Sequence, residues 1–355
     1  MPYTYDEIDR AWQLAESTPV PPEELVAIFD RCERMLGRQW TDQARGRMVG
    51  PGAVFKIIAI GQRLVFIDGL PKSEELIKKL RLNDPSAHAE LHAIALVGRS
   101  GNVEFDLFPE VMVGTRRRVP DFRARSGQGL WVCVEVTRPD MSEVALRAQE
   151  ITSTLAGVVQ RIDRSIALEV FLRREPDEAE IAGIGEQLLT FSTLEARRDE
   201  LPGDLGFLFR SEHAPGVVSV TDHPGEVISP RVGTAKLIGG GNEPTRHVQV
   251  RMPFSDQRAD RFIAEEAKQL PDDSPGLIMV DLTNVLSGFK AWEPLIRRRF
   301  QPTMNRKIGG VCLFSSGTTT TGVGLSWFSE TNMLVNPHAG IGLPAWLTVT
   351  LAATA

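Results

Sequence analysis

The chain is poor in cysteine and tyrosine and has no long apolar segment. Its three cysteines, Cys32, Cys133 and Cys312, are far apart and form no CxxC pair, which predicts buried free thiols in a reducing compartment. No stretch reaches the roughly 18 consecutive apolar residues of a membrane helix. The amino terminus has acidic residues early and no basic start before an apolar core, so we expect no secretory signal. Together these absences predict a cytoplasmic protein with no membrane partner.

An excess of positive charge is also absent. The formal net charge is −6 at pH 7, so we expect no coating of nucleic acid by bulk electrostatics, and any contact with phosphate must come from local patches. Two tyrosines provide no set of aromatics for stacking on bases. Hydrophobic residues make up 42% and charged residues 24% of the 355 residues, which is usual for a globular protein with one large domain or two ordinary ones.

Hydrophobic periodicity divides the chain into three predicted regions. Residues 1–83 show apolar residues at three- and four-residue spacing and form a predicted helical region. Within it, "GPGAVFKIIAIGQRLVFIDGLP" is either a short hairpin or a buried segment. Residues 84–200 mix helices and strands and form the predicted core domain. Residues 201–355 alternate strands and helices and form a predicted C-terminal α/β extension.

The predicted core begins with a helix, "SAHAELHAIALVG", and continues with the strands "NVEFDLF", "RRVPDFRA" and "LWVCVEVT". The turn "RSGQG" joins the last two strands as a hairpin. A long helix then leads to the apolar strand "SIALEVFLR". Beyond residue 200, "GVVSVTD" is a predicted short strand. Two helix–strand units, ending in "GLIMVDL" and "GGVCLF", are expected to extend the same architecture, so the fold class is α/β with a mixed sheet flanked by helices.

The tripeptide His88-Ala89-Glu90 matches the start of the signature of zinc-dependent base deaminases. Those enzymes also need two cysteine ligands from a P-C-x-x-C segment, which this chain lacks, so we exclude that activity. His88 and His92 are one helical turn apart and either share a metal or form ordinary hydrogen bonds. Glu90 lies two residues from each histidine, about 200° around the helix, and is expected to face another side.

Two further acidic residues lie on the predicted hairpin. Asp121 follows Pro120 in one strand, and Glu135 lies near the end of the next. Glu135 and Thr137 project from the same face, because side chains alternate along a strand. Two carboxylates that meet on a buried sheet repel each other unless a cation lies between them, and carboxylate oxygens favour Mg²⁺ or Mn²⁺.

These residues resemble the PD-(D/E)xK nuclease superfamily, which has the restriction-endonuclease-like fold. The resemblance rests on "VPDF" with Asp121, "VCVEVT" with Glu135, and Glu90 in the preceding helix, and it covers about residues 84–173. It implies a metal-dependent endonuclease that hydrolyses phosphodiester bonds of nucleic acid, with DNA favoured. Asp121 and Glu135 would be the principal ligands of Mg²⁺ or Mn²⁺, with the Val136 carbonyl completing the shell and Glu90 reaching the metal directly or through water.

The chain departs from the superfamily at Thr137, where lysine is usual. A lysine ammonium orients the attacking water and offsets negative charge, whereas a threonine hydroxyl can only orient the water. The sequence leaves open which residue replaces the lysine, and the candidates are Arg138, Arg147, Gln149 and Lys268. The alternative to a nuclease is a catalytically inactive protein of the same fold that serves as a nucleic-acid-binding or protein-interaction module.

Two basic runs are candidate contacts for phosphate groups. Arg116, Arg117 and Arg118 precede Asp121, and their position favours nucleic-acid binding. The run at 297–307 either binds phosphate or pairs with nearby acids. We expect Glu265 and Glu266 to lie on a solvated helix face. Cutting both strands of a duplex favours a homodimer, and analogy with the fold suggests roles in restriction, repair or bacterial defence.

Overall fold

Helices and strands alternate along much of the chain. A computed structural model of the protein describes residues 3–12, 20–47, 51–210, 231–240, 243–253, 258–283, 285, 288–321 and 324–353. The helices in these ranges are α1 (Tyr5–Trp12), α2 (Pro22–Leu36), α3 (Arg38–Arg47), α4 (Pro51–Leu64), α5 (Ser73–Arg81), α6 (Pro85–Gly98), α7 (Glu143–Val159), α8 (Glu178–Thr193), α9 (Arg258–Glu266), α10 (Gly288–Arg299) and α11 (Ala345–Ala352). The strands are β1 (Val103–Leu107), β2 (Val111–Val113), β3 (Arg116–Arg118), β4 (Phe122–Ser126), β5 (Val132–Thr137), β6 (Ile166–Leu172), β7 (Arg198–Leu201), β8 (Gly206–Arg210), β9 (Arg231–Gly240), β10 (Glu243–Pro253), β11 (Gly276–Asp281), β12 (Ile308–Thr321) and β13 (Gly324–Val335). The prediction of a mixed α/β protein is confirmed.

The chain forms two compact units that are not continuous in sequence. The first comprises Met1–Pro139, Arg258–Thr283 and Glu293–Ala355, and the second comprises Asp140–Gln257 and Asn284–Trp292. These limits differ from the boundaries expected after residues 83 and 200. The reason is that one apolar core joins the N-terminal helices to β4, β5 and β11, so residues 1–83 belong to the first unit's core.

The segment that the sequence left open, residues 50–71, contains helix α4. Its side chains Ile57, Ile60 and Leu64 are buried in the same core as Leu25 and Phe29 of α2. The alternative of a hairpin is therefore wrong, and the alternative of a buried segment is confirmed. None of the helices in the described ranges combines the length and apolar character that crossing a membrane requires.

A six-stranded mixed sheet forms the centre of the first unit, in the order β1-β4-β5-β11-β12-β13. The neighbours β1, β4 and β5 are antiparallel, as the predicted hairpin requires. Strand β5 pairs in parallel with β11, which pairs in parallel with β12. The later helix–strand units therefore extend the sheet, as expected, and β5 is a central strand.

The strand "SIALEVFLR" does not join this sheet, contrary to the expectation for the core. It forms β6, which lies between β8 and β10 in the second unit's sheet, in the order β7-β8-β6-β10-β9. Every residue of β6 is buried, so its apolar character reflects a central position in that sheet. The strand beside β5 is instead β11, and the helix before it is α9. The predicted strand "GVVSVTD" lies outside the described residues.

The expected strand "RRVPDFRA" is two short strands. Residues Arg116–Arg118 form β3, which pairs with β2 in a separate two-stranded sheet, whereas β4 begins at Phe122. Asp121 therefore lies immediately before a strand and not in the middle of one, because Pro120 has no N–H for a continuous ladder.

Candidate functional site

The hairpin brings Asp121 and Glu135 together. Phe122 of β4 pairs with Val134 of β5, and continuing this register by one residue places Asp121 opposite Glu135. The backbone N–H of Val136 donates to Asp121 Oδ2 at 2.7 Å, and the carboxyl groups of Asp121 and Glu135 hydrogen-bond to each other. The structure thus brings the two predicted ligands into contact.

The pair is buried, and burial determines its electrostatics. Burial raises the pKa of Glu135, and the charge of Asp121 raises it further. Burial also raises the pKa of Asp121, although the hydrogen bonds from Val136 and Glu135 oppose that increase. A hydrogen bond between two carboxyl groups requires one proton between them, and these directions place that proton on Glu135.

Glu90 reaches the same pair from helix α6. It is 4% exposed, and burial followed by the charge of Asp121 raises its pKa to about 7. Its Oε1 atom lies 3.2 Å from Nζ of Lys79 on the preceding helix α5. The charge of Lys79 lowers the pKa of both Glu90 and Asp121. The predicted proximity of Glu90 to the two acids is therefore observed, together with a lysine that was not predicted.

Lys79 lies between the site and solvent. Its side chain is 42% exposed, and its ammonium lies 4.9 Å from the ring centroid of Phe108. Lys79 adjoins the exposed Lys78 on an amphipathic helix. The sequence therefore gives no reason to assign Lys79, and not Lys78, to the site. The contact with Glu90 depends on how α5 packs against α6.

Glu266 is a fourth acid at the site, which corrects the expectation that its helix face is solvated. The Thr137 hydroxyl hydrogen-bonds to Glu266, burial raises the Glu266 pKa, and the charge of Asp121 raises it further. Glu265, one residue earlier, is exposed and pairs with Lys268 at 2.7 Å. The expectation therefore holds for Glu265 and is wrong for Glu266, because β5 pairs with β11 and thereby brings α9 next to β5.

Three of the four candidates for the missing lysine have ion-pair partners, and the fourth is exposed. Arg138 Nη1 lies 3.5 Å from Asp281 Oδ2, and Lys268 pairs with Glu265. Arg147 pairs with Glu178 at 2.6 Å, while Gln149 is exposed. Among the described residues, Lys79 is a cation whose charge acts on both Asp121 and Glu90.

The acids at this site have the donor chemistry of a metal site without its full arrangement. In the part of the chain that the structure describes, no three histidine, cysteine, aspartate or glutamate side chains surround one metal position. The donor chemistry fits a hard cation, because Glu90, Asp121 and Glu135 present the carboxylate oxygens that Mg²⁺ and Mn²⁺ prefer. Oε1 of Glu135 is buried and has no hydrogen-bond partner, which leaves an acceptor for a cation. The proton on Glu135 reduces the repulsion between the carboxyl groups of Asp121 and Glu135. A bound cation would replace that proton and have the same effect.

The two histidines of α6 do not face these carboxyl groups. His92 Nε2 lies 3.0 Å from Ser329 Oγ, and its ring packs edge-on against Phe314. His88 Nε2 is buried and has no hydrogen-bond partner. Burial lowers the pKa of His88 to about 4, and the charges of Lys56, Arg138 and Arg63 lower it further. The histidines thus adjoin a basic group of side chains.

The predicted basic runs are both near the surface. Arg116 and Arg117 are exposed on the β2–β3 hairpin and Arg118 is half-buried, while Arg117 Nη1 lies 3.1 Å from Glu110 Oε2. In the second run, Arg297 Nε lies 2.8 Å from Glu293 Oε1, and Arg299 Nε lies 2.9 Å from Asp260 Oδ1. Contact with phosphate remains a prediction for the first run.

Comparison of the chain with protein-family models, curated proteins and solved structures found no significant match.

Proposed function

We propose that the protein is a metal-dependent nuclease of the restriction-endonuclease-like fold that hydrolyses phosphodiester bonds, with DNA the favoured substrate. The single observation that carries this proposal is the meeting of Glu90, Asp121, Glu135 and Glu266 beside Lys79. Four acids from separate elements, with raised pKa values, indicate a functional site more than a structural one. The first unit's elements support the fold: α6 and the antiparallel strands β1, β4 and β5 are joined, after the inserted residues 140–257 of the second unit, by the helix α9 and the strand β11, which is parallel to β5.

Asp121 and Glu135 would hold the cation, with the carbonyl of Val136 and the carboxylate of Glu90 as further ligands. When bound, Mg²⁺ or Mn²⁺ supplies Lewis acidity that activates water and offsets charge on the phosphate. Binding requires Glu135 to lose its proton, because the cation and the proton compete for the same carboxylate. The Val136 N–H holds Asp121 in place for this exchange.

The remaining residues would act on the water and the substrate. Lys79 takes the role that the superfamily gives to the lysine two residues after the glutamate, because its ammonium lies against Glu90. Thr137 and Glu266 are joined by a hydrogen bond, and this pair would orient the attacking water. The exposed Arg116 and Arg117, with Arg118, would contact backbone phosphates.

The test is Mg²⁺- or Mn²⁺-dependent cleavage of mixed DNA and RNA substrates by the full chain. We expect cleavage that stops when EDTA is added and resumes when the metal is restored. Asp121→Asn keeps an oxygen that can accept from the Val136 N–H but loses the charge, so we expect its Mn²⁺ affinity, measured by calorimetry, to fall at least about tenfold. Asp68→Asn is the matched control, because Asp68 pairs with Arg34 at the surface and its loss should leave Mn²⁺ affinity unchanged.

A non-catalytic protein of the same fold is the second candidate function. Two observations favour it. Thr137 occupies the position of the usual lysine, and no three of the described carboxyl groups surround one metal position. Equal Mn²⁺ affinity in the wild type and in Asp121→Asn, with no cleavage by either, would reject the nuclease and favour this candidate.

A further inference from the structure

A cavity of about 530 Å³ lies in the second unit, between the turn that joins α7 to β6 and the C-terminal part of α8. Residues 161–164 of the turn form one wall, and Leu189, Ser192 and Thr193 of α8 form the other. Sites for small molecules have volumes of roughly 300–1,000 Å³. The cavity therefore has room for a ligand larger than a single inorganic ion.

Two arginines that line this cavity have no acidic partner. Arg161 and Arg164 are both exposed, and neither side chain forms an ion pair or a hydrogen bond with any residue in the described ranges. In contrast, Arg174 of the same unit is also exposed but pairs with Glu180 at 2.5 Å. Guanidinium groups match the oxygens of phosphate through their planar set of donors, so the two arginines supply unused phosphate donors at the cavity.

Two further arginines contact the walls of the cavity. Nη2 of Arg210 donates to the carbonyl of Ser192 at 3.3 Å, and the Arg210 Nε atom is buried without a hydrogen-bond partner. Arg246, which is 7% exposed, donates from Nε to the carbonyl of Ile162 and from Nη1 to the carbonyl of Pro244 at 3.1 Å. Main-chain carbonyls thus position both guanidinium groups, and neither group pairs with a carboxylate among the described residues.

The cavity is therefore surrounded by positive charge. Four guanidinium groups line it or contact its walls, whereas Asp163 is the one acid among the described residues that line it. The hydroxyl groups of Ser192 and Thr193 donate to the carbonyls of Leu189 and Thr190 at 2.7 and 2.8 Å, so their protons are already used. Partly buried positive charge without a counter-charge is stabilised by an anion, and the unused donors for that anion belong to the two arginines of the turn.

The lining also fits the remaining parts of a nucleotide. Asp163 forms no ion pair or hydrogen bond with the described residues, so its carboxylate can accept from sugar hydroxyl groups, as acidic residues do in dinucleotide sites. Ile162 and Leu189 provide an apolar surface for a base. A free phosphate ion would contact the arginines but leave the acid and most of the volume unused. A ligand with a phosphate, hydroxyl groups and an apolar ring uses all three parts of the lining.

We propose that the cavity of the second unit binds a nucleoside monophosphate, with Arg161 and Arg164 on the phosphate and Asp163 on the sugar hydroxyl groups. The ligand is either a free nucleotide or the 5′-phosphorylated end of a nucleic-acid strand, since both present the same chemistry. The site lies within one unit and requires no metal and no cleavage, so it does not depend on the proposed nuclease activity.

The experiment measures nucleotide binding by the full chain in EDTA. Calorimetry follows the four ribonucleoside 5′-monophosphates, the four nucleosides and inorganic phosphate. We expect saturable binding of at least one nucleotide, about tenfold or more tighter than its nucleoside or phosphate alone. Fluorescence anisotropy then compares a 5′-phosphorylated oligonucleotide with the same strand lacking the phosphate. A preference of about tenfold for the phosphorylated strand would identify strand ends as the source, and nucleotide binding without that preference would identify free nucleotides.

Variants test the role of each side chain. We expect Arg161→Gln and Arg164→Gln each to weaken nucleotide binding about tenfold. We expect Asp163→Ala to weaken binding of the ribonucleotide but not of its 2′,3′-dideoxy analogue, which lacks the hydroxyl groups. Arg174→Gln is the control of equal charge in the same unit, because Arg174 pairs with Glu180.

Glu135→Gln should bind nucleotide as the wild type does, so the result stands apart from that for the carboxyl site. The proposal is overturned if the wild type binds none of the nucleotides, or if folded Arg161→Gln and Arg164→Gln both bind them as tightly as the wild type.

Discussion

Replacing Glu135 with glutamine is expected to stabilise the metal-free protein while removing the proposed nuclease activity. Glu135 is 5% exposed, and its pKa is raised by burial and by the carboxyl groups of Asp121, Glu266 and Glu90. Glutamine is neutral in both the folded and the unfolded chain, so folding at pH 8 no longer requires this carboxylate to take up a proton, and we expect the free energy of unfolding at pH 8 in EDTA to increase by roughly 1–3 kcal/mol. In the proposed nuclease the same change removes a principal metal ligand, so metal-dependent cleavage should fall about a thousandfold or more.

The stabilisation should depend on pH in a definite direction. Below the ordinary glutamate pKa of 4.5, Glu135 is protonated in both the folded and the unfolded chain, and its raised pKa has no effect on stability. As the pH increases above that value, the unfolded chain releases the proton and the folded chain retains it, so the free energy of unfolding decreases. The decrease ends only above the raised pKa of the folded state. Denaturant unfolding from pH 4 to pH 9 should therefore show a smaller decrease for Glu135→Gln than for the wild type, and added Mg²⁺ should stabilise the wild type most at high pH.

Glu169 provides the contrasting variant, because it is equally buried but paired. It is 3% exposed, and its Oε1 atom lies 2.7 Å from Arg251 Nε in the second unit. Glu169→Gln leaves a buried guanidinium without its counter-charge, so it should destabilise the protein by about 3 kcal/mol. If Glu135→Gln is destabilising to a similar degree in EDTA, Glu135 is a structural residue and the interpretation of the carboxyl site is wrong.

The part of the site carried by one hairpin could be predicted from the sequence. Alternation along β5 places Glu135 and Thr137 on one face, and a short turn determines the pairing that brings Asp121 to Glu135. These inferences need only local geometry, which the residue types specify. The helix position of Glu90 predicted only that it faces away from His88 and His92, and its place beside the two acids was implied by the family resemblance.

The residues that arrive through long-range packing could not be predicted. Glu266 depends on β11 pairing with β5, although more than a hundred residues separate them and β6 comes first along the chain. Both β6 and β11 are wholly buried strands, so hydrophobicity cannot decide which one joins β5. Lys79 depends on the packing of α5 against α6, and the sequence gives it the same amphipathic context as Lys78.

Replacing Lys79 with glutamine is expected to lower the rate of metal-dependent cleavage about a hundredfold and to shift its pH dependence. The ammonium of Lys79 lies 3.2 Å from Glu90 Oε1 and lowers the pKa of both Glu90 and Asp121. Without it both pKa values rise, so the carboxylates ionise at higher pH. The acid side of the pH–rate profile should therefore move to higher pH by about one unit, whereas a purely structural role would leave it in place.

Two further variants determine whether charge is the property of Lys79 that matters. Lys79→Arg retains the charge, so it should restore most of the shift in the pH–rate profile even if its bulkier head does not restore the full rate. Lys78→Gln removes an adjacent exposed lysine from the same helix and should leave both the rate and the profile unchanged. An unchanged acid side in Lys79→Gln would show that Lys79 does not act on the carboxyl groups during cleavage. The basic side chain that assists cleavage would then have to be one that contacts the substrate. The arginines of the β2–β3 hairpin would be the next residues to replace.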